Sequence, residues 1–331
     1  MPKPRKQQIS LDATPYYHCI SRCVRRAFLC GTDTATGQSY EHRRGWLEEK
    51  LLTLPQTFAI NIAAYAIMSN HYHVVLHIDK KQADQWSDLE VVERWHSLFK
   101  GNLFSQRFVR GENLDAAQRA RLQMIIEEWR SRLCDISWFM RILNEAIARE
   151  ANREDRCTGR FWEGRFKSQA LLDEAALAAC MAYVDLNPVR AQMARTPEQS
   201  DHTSVKKRSE KAKSTKQPNH PNQQTEELYP FVGNPRQDSP KGIQMRLTDY
   251  LDLVDWTGRI LREDKRGAIS ENAESILTRL GIDDSQWLEM TSNFEQCFAT
   301  FAGNEQRLRS ACETLNYQRP HGLSRCRAAF G

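Results

Sequence analysis

The sequence lacks the features typical of membrane, secreted and disordered proteins. No apolar run approaches the roughly 18 residues that a membrane span requires. The basic N-terminal stretch MPKPRKQQIS has no apolar core of the kind found in a secretory signal. The composition, 40% hydrophobic and 27% charged over 331 residues, is that of a globular chain with one large or two modest domains. We therefore expect a cytoplasmic protein with no membrane partner.

Paired cysteines are missing as well. The nine cysteines are an odd number, lie far apart along the chain and include no CxxC pair. This pattern favours free thiols in a reducing compartment over disulfides. Cys19 and Cys23 lie near His18, but a structural zinc site requires four ligands at closer, paired spacing. The sequence therefore disfavours structural zinc.

A strong net charge is also missing, although the positive residues are clustered. The net charge is only +5, which does not indicate nucleic-acid binding by itself. Clusters of arginine and lysine lie at residues 22–26, 43–44, 160–167 and 206–213. Such clusters suit a polyanionic partner, but an ordinary basic surface explains any single cluster equally well.

The sequence pattern divides the chain into three parts. Residues 201–240 are rich in Lys, Gln, Asn and Pro and have almost no apolar periodicity, so they predict a flexible basic linker. Residues 1–200 are expected to form the main domain. Residues 241–331 show only helical periodicity and predict a small all-helical C-terminal domain of unknown role.

The pattern of the main domain predicts an α+β fold. Strands are predicted over 15–24, 58–68, 71–78 and 165–172, and helices over 43–52, 87–101, 115–133, 135–153 and 173–186. With the third and fourth of these helices as an insertion, the order is that of the ferredoxin-like split βαβ arrangement. This arrangement predicts an antiparallel sheet with its helices on one face and strand 71–78 in a central position.

Histidines cluster on the third predicted strand. In MSNHYHVVLHID, residues 68–79, alternate positions are occupied by His71, His73 and His77, so their side chains share one face. His71 and His73 would lie about 7 Å apart along the strand and can hold one divalent ion together. His77 would lie beyond reach, near the strand end. The alternative is a solvated strand that carries imidazoles by chance, and the spacing alone does not decide.

A tyrosine and an asparagine stand one helical turn apart in AYVDLNPVRA, residues 182–191. Tyr183 and Asn187 share a helix face, with small side chains one turn earlier that would leave the tyrosine facing a cleft. The alternative is a core tyrosine followed by a helix-ending asparagine before proline. If the last helix packs on the face of the histidines, Tyr183 and Asn187 come to lie beside His71 and His73.

These residue types suit phosphodiester cleavage. A divalent ion held by two imidazoles and one amide oxygen polarises a phosphate and neutralises developing charge. Mg²⁺ or Mn²⁺ tolerates such a ligand set. A tyrosine hydroxyl assisted in this way can attack the phosphorus and give a covalent phosphotyrosine and a free 3′-hydroxyl.

Motifs along residues 14–200 resemble the REP-associated tyrosine transposases of the single-tyrosine HUH transposase superfamily. They are, in order, YYHCISRCVRRAFLCG, YAIMSNHYHVVLHID, GRFWEGRFKSQAL and YVDLNPVRAQM. The resemblance implies a ferredoxin-like DNA transposase that cleaves and rejoins single-stranded DNA near REP-like hairpins, with Mg²⁺ or Mn²⁺. It implies Tyr183 as the nucleophile, and His71, His73 and Asn187 as the metal ligands.

The resemblance also implies a DNA-binding surface. Arginine suits phosphate contacts and tryptophan suits base stacking, so the predicted DNA-binding residues are Arg22, Arg25, Arg26, Arg160, Trp162, Arg165 and Lys167. For Phe161 and Trp162, a role as core anchors is the alternative. The expected location is the cytoplasm, in association with the nucleoid, as either a monomer or a homodimer.

Two other functions stay open from the sequence. One is a domesticated protein that binds hairpin DNA without cutting it. The other is a protein directed at RNA, because the same fold and basic surface would suit either nucleic acid.

Overall fold

The computed structural model describes residues 8–24, 29–33, 36–262, 271–315, 317 and 322–330. Its centre is a five-stranded, mostly antiparallel sheet with the order β2-β3-β1-β4-β5. The strands are β1 Tyr16–Arg22, β2 Ile60–Ile67, β3 His71–Ile78, β4 Lys167–Leu171 and β5 Phe301–Ala302. The α+β class is therefore confirmed, and β3 is an internal strand as predicted.

Helices surround the sheet and account for most of the remaining chain. They are α1 His42–Thr53, α2 Lys80–Gln85, α3 Asp88–His96, α4 Leu103–Val109, α5 Ala116–Arg132, α6 Ile136–Glu154, α7 Glu174–Asp185, α8 Asn187–Arg190, α9 Ser204–Lys213, α10 Leu247–Leu261, α11 Glu271–Leu280, α12 Asp284–Cys297, α13 Glu305–Thr314 and α14 Leu323–Phe330. Within the described ranges, none of these helices combines the length and apolarity needed to cross a membrane.

The strand register sorts the side chains of the sheet onto two faces. In the antiparallel pairs, His73 stands opposite Ile20 of β1 and Ala66 of β2. Residues paired in this way point to the same side. We call the side that carries His18, Arg22, His71, His73, His77, Lys167 and Gln169 the histidine face.

Both faces of the sheet are covered, so the prediction that the helices lie on one face is wrong. The crossover helices α1 and α6 cover the side opposite the histidine face, where the Tyr72 hydroxyl donates to Asn144 Oδ1 of α6 at 2.8 Å. Helix α7 packs on the histidine face itself. The reason is that β3 has buried side chains on both faces of the sheet. Val74 and Val75 point to opposite faces, and both are fully inaccessible to solvent. Such a strand requires cover on both sides.

The start of α7 is fixed by a side-chain cap at Asp173. Asp173 accepts a hydrogen bond from the backbone N–H of Ala176, and its second carboxylate oxygen accepts from the N–H of Asn304 at 2.7 Å. An acidic N-cap satisfies an amide that has no helical partner and suits the positive end of the helix dipole. The cap therefore holds both α7 and the C-terminal region in place.

The prediction of a flexible linker over 201–240 is wrong. This segment contains α9, and the fully buried Arg208 donates from its guanidinium to the carbonyls of Ala63 and Tyr229, both at 2.9 Å. The Tyr229 N–H donates to the carbonyl of Ile62 at 2.8 Å. A bulge between Ile62 and Ala64 interrupts the β2–β3 register, so the carbonyls of Ile62 and Ala63 can accept hydrogen bonds from this segment. It is held by hydrogen bonds to a sheet edge, which apolar periodicity does not reveal.

The prediction of a separate all-helical C-terminal domain is also wrong. Within 241–331, β5 pairs in parallel with β4, with Ala170 opposite Phe301, and α12 packs along α7. Phe294 of α12 is fully buried, and its ring centroid lies 5.9 Å from that of Tyr183. This region therefore completes the sheet and covers the histidine face.

Candidate active site on the histidine face

The two predicted histidine ligands lie side by side near one end of β3. The ring centroids of His71 and His73 are 4.9 Å apart and the rings are nearly perpendicular, at 76°. His71 is partly exposed and its Nδ1 lies 2.6 Å from Asn70 Oδ1, while His73 is completely buried. With the Asn70 amide oxygen in this position, Nδ1 of His71 would donate and Nε2 of the neutral ring would have a lone pair.

The third histidine of the cluster belongs to a different environment. The ring of His77 stacks on Tyr229 with centroids 4.4 Å apart, and its Nδ1 lies 3.2 Å from Asn61 Nδ2. Both of these contacts lie towards the far end of β3, away from His71. His77 is therefore held by packing, as expected for a residue outside the predicted ligand pair.

A histidine that sequence reasoning missed lies behind His73. His18 of β1 is fully buried, and its Nε2 lies 2.9 Å from His73 Nδ1. Its Nδ1 lies 2.7 Å from Gln169 Oε1 of β4. The available signal was the alternation of β1, which puts His18 and Arg22 on one face and the neighbouring Cys19 on the other. Because their side chains point to opposite faces, His18 and Cys19 cannot both bind the same ion.

The predicted nucleophile lies directly above the histidines. The Tyr183 ring centroid is 5.8 Å from that of His73 and 6.2 Å from that of His18. The guanidinium of Arg190 lies over the tyrosine ring, 3.8 Å from its centroid, and donates to the carbonyl of Thr291 at 2.6 Å. The side chains of α7 thus meet the histidine face, whereas α1 and α6 cover the opposite face.

A carboxylate from the C-terminal region joins this group. The Tyr183 hydroxyl donates to Glu295 Oε1 of α12 at 3.1 Å, and the same oxygen lies 3.9 Å from His73 Nε2. Sequence reasoning gave Glu295 no role, because it lies 112 residues beyond Tyr183 in a region outside every recognised motif. Only the packing of α12 on α7 brings it here.

Asn187 is not joined to this group by a hydrogen bond in the described structure. Helix α7 ends at Asp185, and Asn187 begins the short helix α8, with 8% of its surface exposed. In the described part of the chain, no hydrogen bond links its side chain to His71 or His73. The role of Asn187 as a metal ligand stays a prediction.

Burial governs the protonation of this group. Burial, followed by the neighbouring His18 and His71, holds the pKa of His73 well below its usual value. Burial and the nearby positive charge of Arg22 lower the pKa of His71 to about 4. Both imidazoles are therefore neutral at pH 7, which is the form that binds a metal ion. Burial raises the pKa of Tyr183, Arg190 lowers it, and the Glu295 carboxylate raises it.

A cationic cavity of about 430 Å³ opens beside Glu295. Three predicted DNA-binding residues line it, Arg22, Arg165 and Lys167, together with Glu163. The chain comes back to this place because the N–H of Glu163 donates to the carbonyl of Arg22 at 2.8 Å, extending the antiparallel pairing beyond β1. Sequence reasoning named these cations, and the fold brings them together.

The other predicted DNA-binding residues have different environments. Trp162 is half-buried, its indole N–H donates to the carbonyl of Asn144 at 2.8 Å, and its ring packs edge-on against Tyr72. This supports a packing role for the tryptophan, and base stacking by it stays a prediction. Arg160 is exposed and donates to the carbonyl of Trp162. Arg25 and Arg26 lie outside the described residues.

The donor set partly fits the implied Mg²⁺ or Mn²⁺. His73 Nε2 is buried and has no hydrogen-bond partner among the described residues, as expected for a nitrogen that can bind a ligand. Among the described residues, however, no group of three His, Cys, Asp or Glu side chains is arranged to hold a metal ion. Ions of this class commonly take their remaining ligands from water and substrate phosphates. His71 and His73 would therefore supply only part of the ligand set of such an ion, and water or substrate phosphates would supply the rest.

No family model matches this chain, and no curated protein is similar to it in sequence. A solved structure described as a REP-associated tyrosine transposase bound to a REP hairpin is similar, with 11% identity, over 62% of this chain and 82% of that chain. The TM-score is 0.32. This likeness is too distant to support a conclusion about the chemistry of this chain.

Proposed function

We propose that this chain is a DNA transposase that cleaves and rejoins single-stranded DNA near hairpins of the REP type, through a covalent 5′-phosphotyrosine at Tyr183. The observation that supports this best is the position of the Tyr183 hydroxyl. It donates to a carboxylate, beside two neutral histidines and a cationic cavity. The sequence motifs in their family order give independent support, as does the strand order β2-β3-β1-β4, which suits a ferredoxin-like core.

The cavity supplies the first step, which is binding. Arg22, Arg165 and Lys167 present positive charge to a DNA phosphate without reading its base. Arg22 stands opposite His71 in the strand register, so a phosphate held by Arg22 is next to the histidine pair. Binding through such contacts weakens as salt concentration rises.

The second step is nucleophilic attack. Glu295 accepts the phenolic proton of Tyr183, and the phenolate oxygen attacks the scissile phosphorus. The guanidinium of Arg190 stabilises the negative charge that develops on the tyrosine. An ion bound by His71, His73 and, as predicted from the family, Asn187 would polarise the phosphate and neutralise the charge on its oxygens.

The products follow from the bonds that change. A bond forms between Tyr183 Oη and phosphorus, and the bond from phosphorus to the 3′-oxygen breaks. The proton that Glu295 took from Tyr183 passes through solvent to the departing oxygen, which becomes a free 3′-hydroxyl. Attack by a 3′-hydroxyl on the phosphotyrosine reverses the reaction and rejoins a strand. Such a protein would act in the cytoplasm on DNA of the nucleoid.

Oligonucleotide cleavage tests this proposal. The full chain is incubated with Mn²⁺ and a single-stranded DNA oligonucleotide that carries a hairpin, and the variant Tyr183→Phe serves as the control. We expect cleavage by the wild type, none by the variant, and equal binding by both. Binding with no cleavage would overturn the proposed cleavage activity and favour a protein that binds hairpin DNA without cutting it. Stronger binding of the RNA analogue would point instead to an RNA-directed protein.

A further inference from the structure

We infer that His18 and Gln169 are positioning residues that fix the tautomer of His73, so that its Nε2 presents a lone pair to Tyr183 and Glu295. The tautomer follows from the contacts alone. Its use in metal binding rests on the proposed function.

The orientation of the Gln169 amide is the first link. Its Nε2 lies 2.7 Å from the carbonyl oxygen of Phe298, at the C-terminal end of α12. Because a carbonyl oxygen only accepts, the amide nitrogen must face it, and a flipped amide would bring two oxygens together. Gln169 Oε1 therefore faces His18.

The two imidazoles form the next links. Gln169 Oε1 accepts from His18 Nδ1 at 2.7 Å, so Nδ1 carries the proton of this neutral ring. The unprotonated Nε2 of His18 then accepts from His73 Nδ1 at 2.9 Å. His73 has its single proton on Nδ1, and its Nε2 is a lone pair. Both rings are completely inaccessible, so an additional proton would create a buried charge.

The far end of this chain of hydrogen bonds is His73 Nε2, which is buried and has no hydrogen bond to any described residue. In the described part of the chain, the nearest carboxylate oxygen, from Glu295, lies 3.9 Å away. Metal-binding histidines commonly donate their other ring N–H to an oriented acceptor, which fixes the tautomer and the ring. Here that acceptor is another histidine, which is oriented in turn by an amide.

The C-terminal region supplies both ends of this arrangement. Helix α12 carries Glu295, and the backbone carbonyl of Phe298 follows at its end, where carbonyls lack helical partners. Gln169 uses that free carbonyl as its anchor. The region that the sequence left without a role therefore sets the proton positions behind His73 and provides the carboxylate in front of it.

Nitrogen NMR of the full chain tests the tautomer directly, without DNA or metal. Long-range ¹H–¹⁵N correlations of labelled histidine separate the Nδ1–H, Nε2–H and imidazolium forms. We expect the Nδ1–H form of His73 at neutral pH. Finding the Nε2–H form or the imidazolium in the wild type would overturn the inference, whatever any variant does.

The variant Gln169→Leu then tests the positioning role. It removes both amide bonds, so we expect His73 to show a mixture of tautomers and Mn²⁺ to bind about 10- to 100-fold more weakly. The matched control is Asn61→Leu, which removes a contact between an amide and an imidazole at His77, outside the site, and should change neither measurement.

The outcomes separate this inference from the proposed function. If Gln169→Leu folds and leaves the His73 tautomer and Mn²⁺ affinity unchanged, the positioning role is overturned even when the protein cleaves DNA. If both change as expected and no DNA is cleaved by the wild type, the inference holds and the proposed function fails.

Discussion

Replacing Glu295 by glutamine tests whether its carboxylate accepts the proton of Tyr183 or acts on Tyr183 only through its charge. Glu295 Oε1 accepts the Tyr183 hydroxyl at 3.1 Å, and its negative charge raises the pKa of that hydroxyl. Glu295→Gln keeps the size of the side chain and removes the charge. The two roles of the carboxylate then predict opposite effects: losing the proton acceptor slows the attack, whereas losing the charge makes the tyrosine more acidic.

The size of the effect follows from the contact. A hydrogen bond to a charged group contributes about 1.5–3 kcal/mol, and a general base typically contributes 10²–10⁴-fold in rate. The Glu295 side chain is 31% exposed, so solvent screens part of its charge and the lower end applies. We expect cleavage by Glu295→Gln to fall by about 10²-fold while the pKa of Tyr183 also falls.

The assay measures single-turnover cleavage of a hairpin oligonucleotide with Mn²⁺, and the NMR shift of the Tyr183 ring carbon follows its titration. DNA affinity should stay within about twofold of the wild type, because the phosphate contacts remain. Glu163→Gln is the matched control, since Glu163 lines the same cavity and is exposed to solvent. Cleavage by Glu295→Gln at the wild-type rate or faster would refute the role of Glu295 as the base.

Further predictions concern charge and stability. Burial raises the pKa of Asp185 to about 6, above its unfolded value of about 4. Its contribution to the free energy of unfolding is therefore lost as the pH rises from about 4 to 6. Asp185→Asn should flatten this dependence of the free energy of unfolding on pH, measured by urea titrations at several pH values. Arg208→Met leaves two buried carbonyls unpaired and should lower the free energy of unfolding by roughly 2–4 kcal/mol, whereas a truly flexible segment would show no change. Arg22→Ala should weaken hairpin DNA binding for all sequences alike and reduce the salt slope by about 1, measured by fluorescence anisotropy; an unchanged slope would exclude Arg22 from phosphate contact.

The sequence was sufficient for the parts of the site that depend on local periodicity. Strand alternation places His71 and His73 on one face, and the Asp173 cap with helical spacing defines the helix of Tyr183. These features need only neighbouring residues and the geometry of one element. Their meeting also required β3 to be buried on both sides, which the alternation of histidines along this strand does not indicate.

The rest of the site depends on contacts between distant segments. Glu295 reaches Tyr183 only because α12 packs on α7, and His18 meets His73 through pairing of β1 with β3. Arg208 binds the carbonyl of Ala63 at a bulge in β2, although its surroundings in the sequence have the composition of a linker. Composition and periodicity describe how a segment buries its own apolar surface, and they do not reveal a partner supplied by another part of the fold.

The most direct test of the central claim is the covalent bond itself. The full chain is incubated with Mn²⁺ and a hairpin-flanked single-stranded oligonucleotide, denatured, digested and examined by mass spectrometry for a peptide that carries a nucleotide. The proposed function predicts a 5′-phosphotyrosine at Tyr183 in the wild type and none in Tyr183→Phe. An adduct on another residue, or cleavage of the oligonucleotide with no adduct at Tyr183, would contradict it.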